Sequence, residues 1–250
     1  MYNFFVSEEA RALDVYRITG ADHNHIKNVL RMKPGEEILV SCEGRSDLCV
    51  IEEISADAVT VRVTEESYRS TELPVKIYLF QGLPKSDKLE LIIQKCVELG
   101  VYAIVPVEMS RCVVKLEGKK KEERRARWQS IAESAAKQSK RNVIPEVLPV
   151  MSYKDAINMA SEMDVFMVPY EAKDGMNATL KALKTMKNGR SVAILIGPEG
   201  GFEEKEVESA EQMGGVAVSL GKRILRAETA AMTAVSMCML YAETEGGEER

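Results

Sequence analysis

The stretch Ala193-Ile194-Leu195-Ile196-Gly197-Pro198-Glu199-Gly200-Gly201-Phe202, followed by Glu203-Glu204-Lys205-Glu206-Val207, decides how this chain reads. An apolar strand runs into a turn with three glycines, then into a helix whose start is rich in carboxylates. In open α/β sheets, ligands settle at the carboxyl ends of strands, where glycine lets the backbone approach closely. The turn is neither G-x-G-x-x-G nor G-x-x-x-x-G-K-[ST], so neither dinucleotide nor P-loop phosphate binding follows. Glu203, Glu204 and Glu206 suit the positive end of a helix and would repel a phosphate, so a neutral or cationic ligand fits better. On its own, such a turn reads first as an ordinary strand-to-helix connection.

A second stretch tips the balance: Leu220-Gly221-Lys222-Arg223-Ile224-Leu225-Arg226-Ala227-Glu228-Thr229-Ala230-Ala231. It follows the strand-like Val216–Leu220 and enters a helix of small residues, including Ala230, Ala231, Ala234 and Ser236. Arg226, Glu228 and Thr229 stand where strand passes to helix, a position that aims polar groups into a cleft. Capping of the helix start accounts equally well for Glu228 and Thr229.

Outward from these stretches, strands and helices alternate. Strands are expected at Val75–Phe80, Tyr102–Val107, Asp164–Val168 and Ser191–Ile196, and helices at Ser86–Leu99, Glu122–Gln138, Tyr153–Met159, Glu203–Met213 and Ala227–Glu243. In the first helix Leu89, Ile92, Ile93, Cys96 and Val97 keep helical spacing, and Gly100 stops it. Such alternation predicts an α/β domain with a mostly parallel sheet covered on both faces. The first seventy residues differ. Short alternating segments at Asp14–Ile18, Glu37–Val40, Leu48–Ile51 and Ala58–Val63, parted by turns, predict a small β-barrel. One helical piece, from about Asp22 (the expected N-cap) to Leu30, interrupts it. The change of pattern at Ser70–Pro74 divides the chain into 1–72 and 73–250.

The 250 residues are 45% hydrophobic and 29% charged, which excludes a disordered chain. No apolar run reaches the ~20 residues of a membrane span, and Met1–Val6 lacks the basic start of a secretory signal. Five scattered cysteines without a C-x-x-C pair point to a reduced, cytoplasmic protein. His23 and His25 have no ligand cluster around them, so no metal is expected. The net charge of -5 argues weakly against nucleic acid. Its distribution argues the other way. From Arg111 to Asn142 eleven Lys/Arg face four Glu, a window of +7 that leaves -12 elsewhere. A solvated helix face and phosphate binding account for that window about equally, since clustered cations gain affinity by releasing counterions.

Together, Ile196–Phe202 and Leu220–Ala230 closely resemble the RsmE family, SPOUT-class methyltransferases that make 3-methyluridine in small-subunit ribosomal RNA. The resemblance covers nearly the whole chain. His25–Arg31 resembles the family's N-terminal signature, Lys85–Val101 its first helix, and Ala135–Asn142 its basic helix end. The family often has proline at Lys222, threonine at Ala227, glutamate at Lys137 and glycine at Lys140.

The resemblance implies a PUA-like RNA-binding barrel over 1–72 and a trefoil-knotted methyltransferase domain over 73–250. It also implies S-adenosylmethionine as cofactor and a homodimer packed around the C-terminal helix, with no membrane and no metal. Carried onto this chain, the cofactor residues are Pro169 and Tyr170; Ile196, Gly197, Pro198, Glu199, Gly200 and Gly201; and Leu220, Gly221, Ile224, Leu225, Arg226 and Thr229. Arg226 and Glu228 are the expected catalytic pair: Arg226 would stabilise a uridine anion, and Glu228 would orient Arg226 or accept the proton, with Glu199 a weaker candidate. Arg31, Arg124, Arg125, Lys140 and Arg141 are the expected RNA contacts. The RNA partner is small-subunit ribosomal RNA, free or in an assembled subunit. Two alternatives stand beside this reading: a SPOUT enzyme methylating a ribose 2′-hydroxyl, and a non-enzymatic RNA-binding protein.

Overall fold

The computed structural model describes residues 1–171 and 175–245. The acidic tail that begins at Glu243 therefore passes, from 246 on, outside the described residues. Contacts divide the chain into two compact units, Met1–Glu72 with Ala136–Ile144, and Leu73–Ala135 with Pro145–Arg250.

The first unit is a six-stranded sheet in the order β1-β4-β5-β6-β3-β2. Its strands are β1 (Asn3–Phe5), β2 (Arg11–Ala12), β3 (Val15–Thr19), β4 (Glu37–Cys42), β5 (Arg45–Ile54) and β6 (Ala58–Glu65). Neighbours are antiparallel except β1 and β4, which are parallel. Alternation along β3 buries Tyr16 and Ile18 between exposed Arg17 and Thr19, as a strand with one wet face must. Those side chains share one core with Phe4, Ile38, Val40, Ile51, Val59, Val61 and Ile26.

Two expectations for this unit change. Asp22 is not the helix N-cap, because α1 (Gly20–Asn24) starts two residues earlier and continues as a π-helical turn over His25–Leu30. The Asp22 carboxylate instead accepts a hydrogen bond from Lys137 Nζ at 2.9 Å. The unit also takes in 136–144, which a linear cut at residue 72 leaves out. The physical reason is polar satisfaction. Glu72 accepts from Arg141 Nε at 3.0 Å and from Asn142 N–H at 2.8 Å, while the Arg141 carbonyl accepts from Asn3 Nδ2 at 2.9 Å.

The second unit is a seven-stranded sheet in which every pair is parallel. Its strands are β7 (Lys76–Gly82), β8 (Ala103–Glu108), β9 (Glu146–Val147), β10 (Met151–Ser152), β11 (Val165–Pro169), β12 (Ser191–Ile196) and β13 (Val216–Val218). They run β10-β8-β7-β12-β11-β13, with β9 beside β8. Between them lie α2 (Lys88–Glu98), α3 (Lys119–Ser139), α4 (Tyr153–Ser161), α5 (Asn177–Lys184) and α6 (Glu204–Gln212), and α7 (Ala227–Glu245) follows the last strand. The central strands are apolar end to end, β12 burying Val192 through Ile196, as a sheet covered on both faces requires. α5 is the one helix the periodicity misses; its eight residues include only three buried side chains, Thr179, Ala182 and Leu183. The strand order sets β12 between β7 and β11, and β13 outside β11. The carboxyl ends of β12, β11 and β13 thus lie side by side.

Among the described residues no helix is long and apolar enough to cross a membrane, and no His, Cys, Asp and Glu side chains group in a way that could hold a metal ion. All five cysteines are unpaired thiols, four buried and Cys112 half-buried.

Candidate active site

Three loops leave those three strand ends and meet around a cavity of about 450 Å³, within the usual range for small-molecule sites. The loop after β11 contributes Pro169, Tyr170 and Glu171, that after β12 contributes Ile196 to Phe202, and that after β13 contributes Leu220, Gly221 and Arg223 to Ala227. Lys88, from the first turn of α2, and Ala230, from α7, complete the wall. Tyr170 and Phe202 meet edge-to-face, with ring centroids 6.5 Å apart.

Two of these loops are held by groups that local sequence patterns do not reveal. Gly82, at the end of β7, stands against the glycine turn: a Cβ there would lie 2.7 Å from Pro198 N and Cδ. Buried Gln81 donates to the Gly197 carbonyl at 3.3 Å. Arg111 donates to the Gly200 carbonyl at 2.9 Å and lies so close that a Cβ on Gly200 would approach the Arg111 Cβ to 3.0 Å. The Glu199 side chain reaches the loop before α2 and accepts from Lys85 N–H at 3.0 and 3.2 Å. Behind the last loop, Thr179 of α5 donates to the Ser219 carbonyl at 2.7 Å and accepts from Ser219 N–H at 3.2 Å. Gly221 follows at φ +111, where an L side chain is strained.

The carboxylates behind the glycine turn serve the fold. Glu203 and Glu206 form a reciprocal capping box at the start of α6, and Glu206 also accepts from Ser110 N–H at 3.0 Å. Glu206 is buried and spent on backbone donors, leaving Glu199 and Glu171 as the acidic groups among the described residues that reach the cavity wall.

Of the fourteen expected cofactor residues, thirteen line this cavity; Thr229 does not. It lies on the exposed side of the first turn of α7, beyond the wall. Arg226 lines the cavity and is exposed, and its guanidinium has no hydrogen-bond or ion-pair partner among the described residues. Glu228 is not among the residues lining the cavity and makes no hydrogen bond or ion pair with Arg226. Its Oε2 is buried, accepts no hydrogen bond, and lies 3.6 Å from Lys88 Nζ. The same ammonium sits 3.1 Å from Glu199 Oε1. Pairing with Glu199 raises the Lys88 ammonium above its ordinary value. Partial burial works against ionisation of Glu199, yet hydrogen bonds from the backbone and the Lys88 ammonium together hold its carboxyl below the usual range.

The expected RNA contacts separate into different environments. Arg31 is exposed, in a left-handed conformation that closes the π-helical turn. Lys140 is half-buried. Arg124 lies 3.7 Å from Glu90, and Arg125 donates to the Val147 carbonyl at 2.9 Å and pairs with Glu146 at 3.3 Å. Arg141 is placed differently from the exposed cations. It is 3% exposed and its guanidinium is bound by Glu72, so it holds the first unit together. Lys115, Lys119 and Lys120, which the sequence places in the +7 window, are exposed.

The sequence pattern of an RNA methyltransferase domain matches residues 71–239, and that of an RNA methyltransferase PUA domain matches 18–64. Ribosomal RNA small subunit methyltransferase E of Bacillus subtilis is 39% identical over 256 aligned positions, covering 100% of both chains. The chain belongs to the RsmE family. The RsmE protein of Mesomycoplasma hyopneumoniae is 33% identical, over 96% of this chain and 99% of its own. A crystal structure of the Neisseria gonorrhoeae RsmE protein bound to S-adenosyl methionine superposes with a TM-score of 0.79 at 31% identity, covering 95% of this chain and 96% of that one. The PUA-like first unit and the SPOUT-type α/β second unit are therefore those of an RsmE enzyme.

Proposed function

We propose that the three-loop cavity holds S-adenosylmethionine and that the protein methylates N3 of a uridine in small-subunit ribosomal RNA. The observation that carries this reading is the placement of Arg226, which has no hydrogen-bond or ion-pair partner among the described residues, on the wall of a glycine-rich cavity at the carboxyl ends of three adjacent parallel strands. The cavity suits that cofactor. A Cβ on Gly197 or Gly200 would come within 3.2 and 3.0 Å of its nearest neighbours, so this part of the wall is main chain, beside apolar Ile196, Leu220 and Leu225. The wall carries acidic Glu171 and Glu199, which suit a sulfonium better than a polyphosphate. The side-by-side placement of β12, β11 and β13 out of chain order supports the knotted threading that the family implies.

When bound, the cofactor supplies an electrophilic methyl group, released from sulfur as a bond to the nucleophile forms. The residues of this chain must make uridine N3 a nucleophile. N3 carries a proton and lies on the Watson–Crick edge, so the base has to be unpaired and splayed out. Arg226 then holds the developing negative charge of the uracil ring with charge-assisted hydrogen bonds. Glu228, behind the wall with its side chain 14% exposed, takes the N3 proton through a bridging water. The exposed cations Lys115, Lys119 and Lys120, together with Arg31, bind phosphates and position the RNA without reading bases. The free thiols support a reducing, cytoplasmic setting. Exposed Leu240 on α7, an apolar residue left facing solvent, supports pairing of two chains through this helix.

The test is methylation of ribosomal RNA and of small subunits by purified protein, with the modified nucleoside identified. 3-Methyluridine is expected; a 2′-O-methyl nucleoside would overturn the base assignment. Arg226→Ala should abolish transfer while calorimetric binding of S-adenosylmethionine persists, and transfer at the wild-type rate would remove Arg226 from the chemistry.

A further inference from the structure

Lys88 lines the cavity, and although it falls in Lys85–Val101, matched to the family's first helix, the sequence assigns it no site role. It sits between two carboxylates from different elements: Glu199 of the glycine turn at 3.1 Å, and Glu228 of the first turn of α7 at 3.6 Å. These two carboxylates are not equally provided for. Glu199 accepts two contacts from the Lys85 N–H in addition to its ion pair, so its place does not depend on Lys88 alone. Among the described residues Glu228 shows no such second anchor: its Oε2 is buried without a hydrogen bond, and Lys88 is the cation within ion-pair range. That buried carboxylate oxygen is oriented by the nearest positive charge, an attraction partly screened because the Lys88 side chain is 33% exposed. At 3.6 Å the ammonium is too far to hydrogen-bond Glu228, so it directs the carboxylate without capping the lone pairs that would take a proton.

We infer that Lys88 is a positioning residue for methyl transfer: anchored by Glu199, it holds the Glu228 carboxylate in place beside the cavity. The inference rests on the reading of Glu228 as proton acceptor. It makes Lys88 act on catalysis through Glu228, its ammonium being paired with the two carboxylates although the residue lines the cavity. The glycine turn keeps its own supports in Lys85 N–H, Arg111 and Gln81, so loss of the ammonium leaves the cofactor loop standing.

The experiment compares wild type with Lys88→Met, Lys88→Arg, Glu228→Gln and the double variant Lys88→Met/Glu228→Gln. Three quantities are read for each: kcat and KM with ribosomal RNA, calorimetric affinity for S-adenosylmethionine, and thermal midpoint. Lys88→Met should lower kcat at least tenfold, with KM and cofactor affinity within about threefold of wild type. Lys88→Arg, which keeps the charge, should recover much of that loss. The double variant should be no slower than Glu228→Gln alone, because a residue acting only through Glu228 has nothing left to position. Fully additive losses, or an unchanged kcat in Lys88→Met, would overturn the inference, as would a loss confined to cofactor affinity. Failure of the underlying reading looks different: Glu228→Gln would then transfer methyl groups at the wild-type rate while Lys88→Met does not.

Discussion

Arg141→Ala separates a structural cation from an RNA-binding one. The side chain is 3% exposed, and its Nε lies 3.0 and 3.1 Å from the two Glu72 oxygens, with Nη2 closing the fork. Removing one partner of a buried pair typically costs about 3–5 kcal/mol, because the other charge is left uncompensated. Here the abandoned partner is Glu72, whose side chain keeps 22% exposure and two backbone donors, Asn142 N–H at 2.8 Å and Val143 N–H at 3.3 Å. Water and those donors soften the loss, which places the expected cost near the lower bound, about 3 kcal/mol. For a unit of about eighty residues that corresponds to a fall in melting temperature of roughly 12–24 °C. Scanning calorimetry would show it as a lowered transition of the first unit. RNA affinity measured against salt should keep its slope in folded Arg141→Ala, since a guanidinium bound to Glu72 displaces no counterion. In Lys119→Ala/Lys120→Ala the slope should fall by about 1.4–1.8, roughly 0.7–0.9 per lost phosphate contact. A flattened slope with an unchanged melting temperature in Arg141→Ala would refute the structural assignment.

Other expectations can be checked by similar means. Gly82→Ala places a Cβ 2.7 Å from Pro198 N and 2.9 Å from Met109 Sδ, so it should destabilise the second unit by about 1–3 kcal/mol and weaken calorimetric cofactor binding; unaltered binding would show that the glycine turn tolerates displacement. Burial, then the hydrogen bond to Asp47, pushes the Tyr16 hydroxyl up to about 12, against about 10 in an unfolded chain. Its raised value stabilises the fold fully below pH ~10 and is lost as pH climbs toward 12, a contribution of about 2–3 kcal/mol. Urea titrations of wild type and Tyr16→Phe should therefore converge in stability over that window, and parallel curves would contradict the shift. Burial raises all five thiols, Cys49 and Cys238 to about 12, so a disulfide-exchange reagent at pH 8 should label native protein slowly, half-buried Cys112 first. Rapid labelling of several thiols before unfolding would rule that burial out.

Much of the second unit was legible in the residues because its signals are local. Helical spacing from Leu89 to Val97 and the uninterrupted apolar run of β12 each state an element and the face it buries. The glycine turn likewise announced a ligand site, since three glycines after a buried strand mark backbone that something must approach. The short strands β1, β2, β9 and β10 escaped, being two or three residues long and without a full period to read. Cation roles escaped for a different reason. Arg141 and Lys120 belong to one charged window, yet one is bound to Glu72 and the other is exposed, and no pattern in a linear sequence states which carboxylate will fold against which arginine.

The sequence by itself determined the α/β class, the family, and the three loops that line the cavity, because those are written in spacing, glycine placement and motif order. Only the tertiary structure decided that residues 136–144 complete the first unit, that Gly82 must make room for Pro198, and that Lys88 rather than Arg226 faces Glu228. Each of these joins residues from tens to more than a hundred positions apart, and their energies depend on distance and burial, which exist only once the chain has packed.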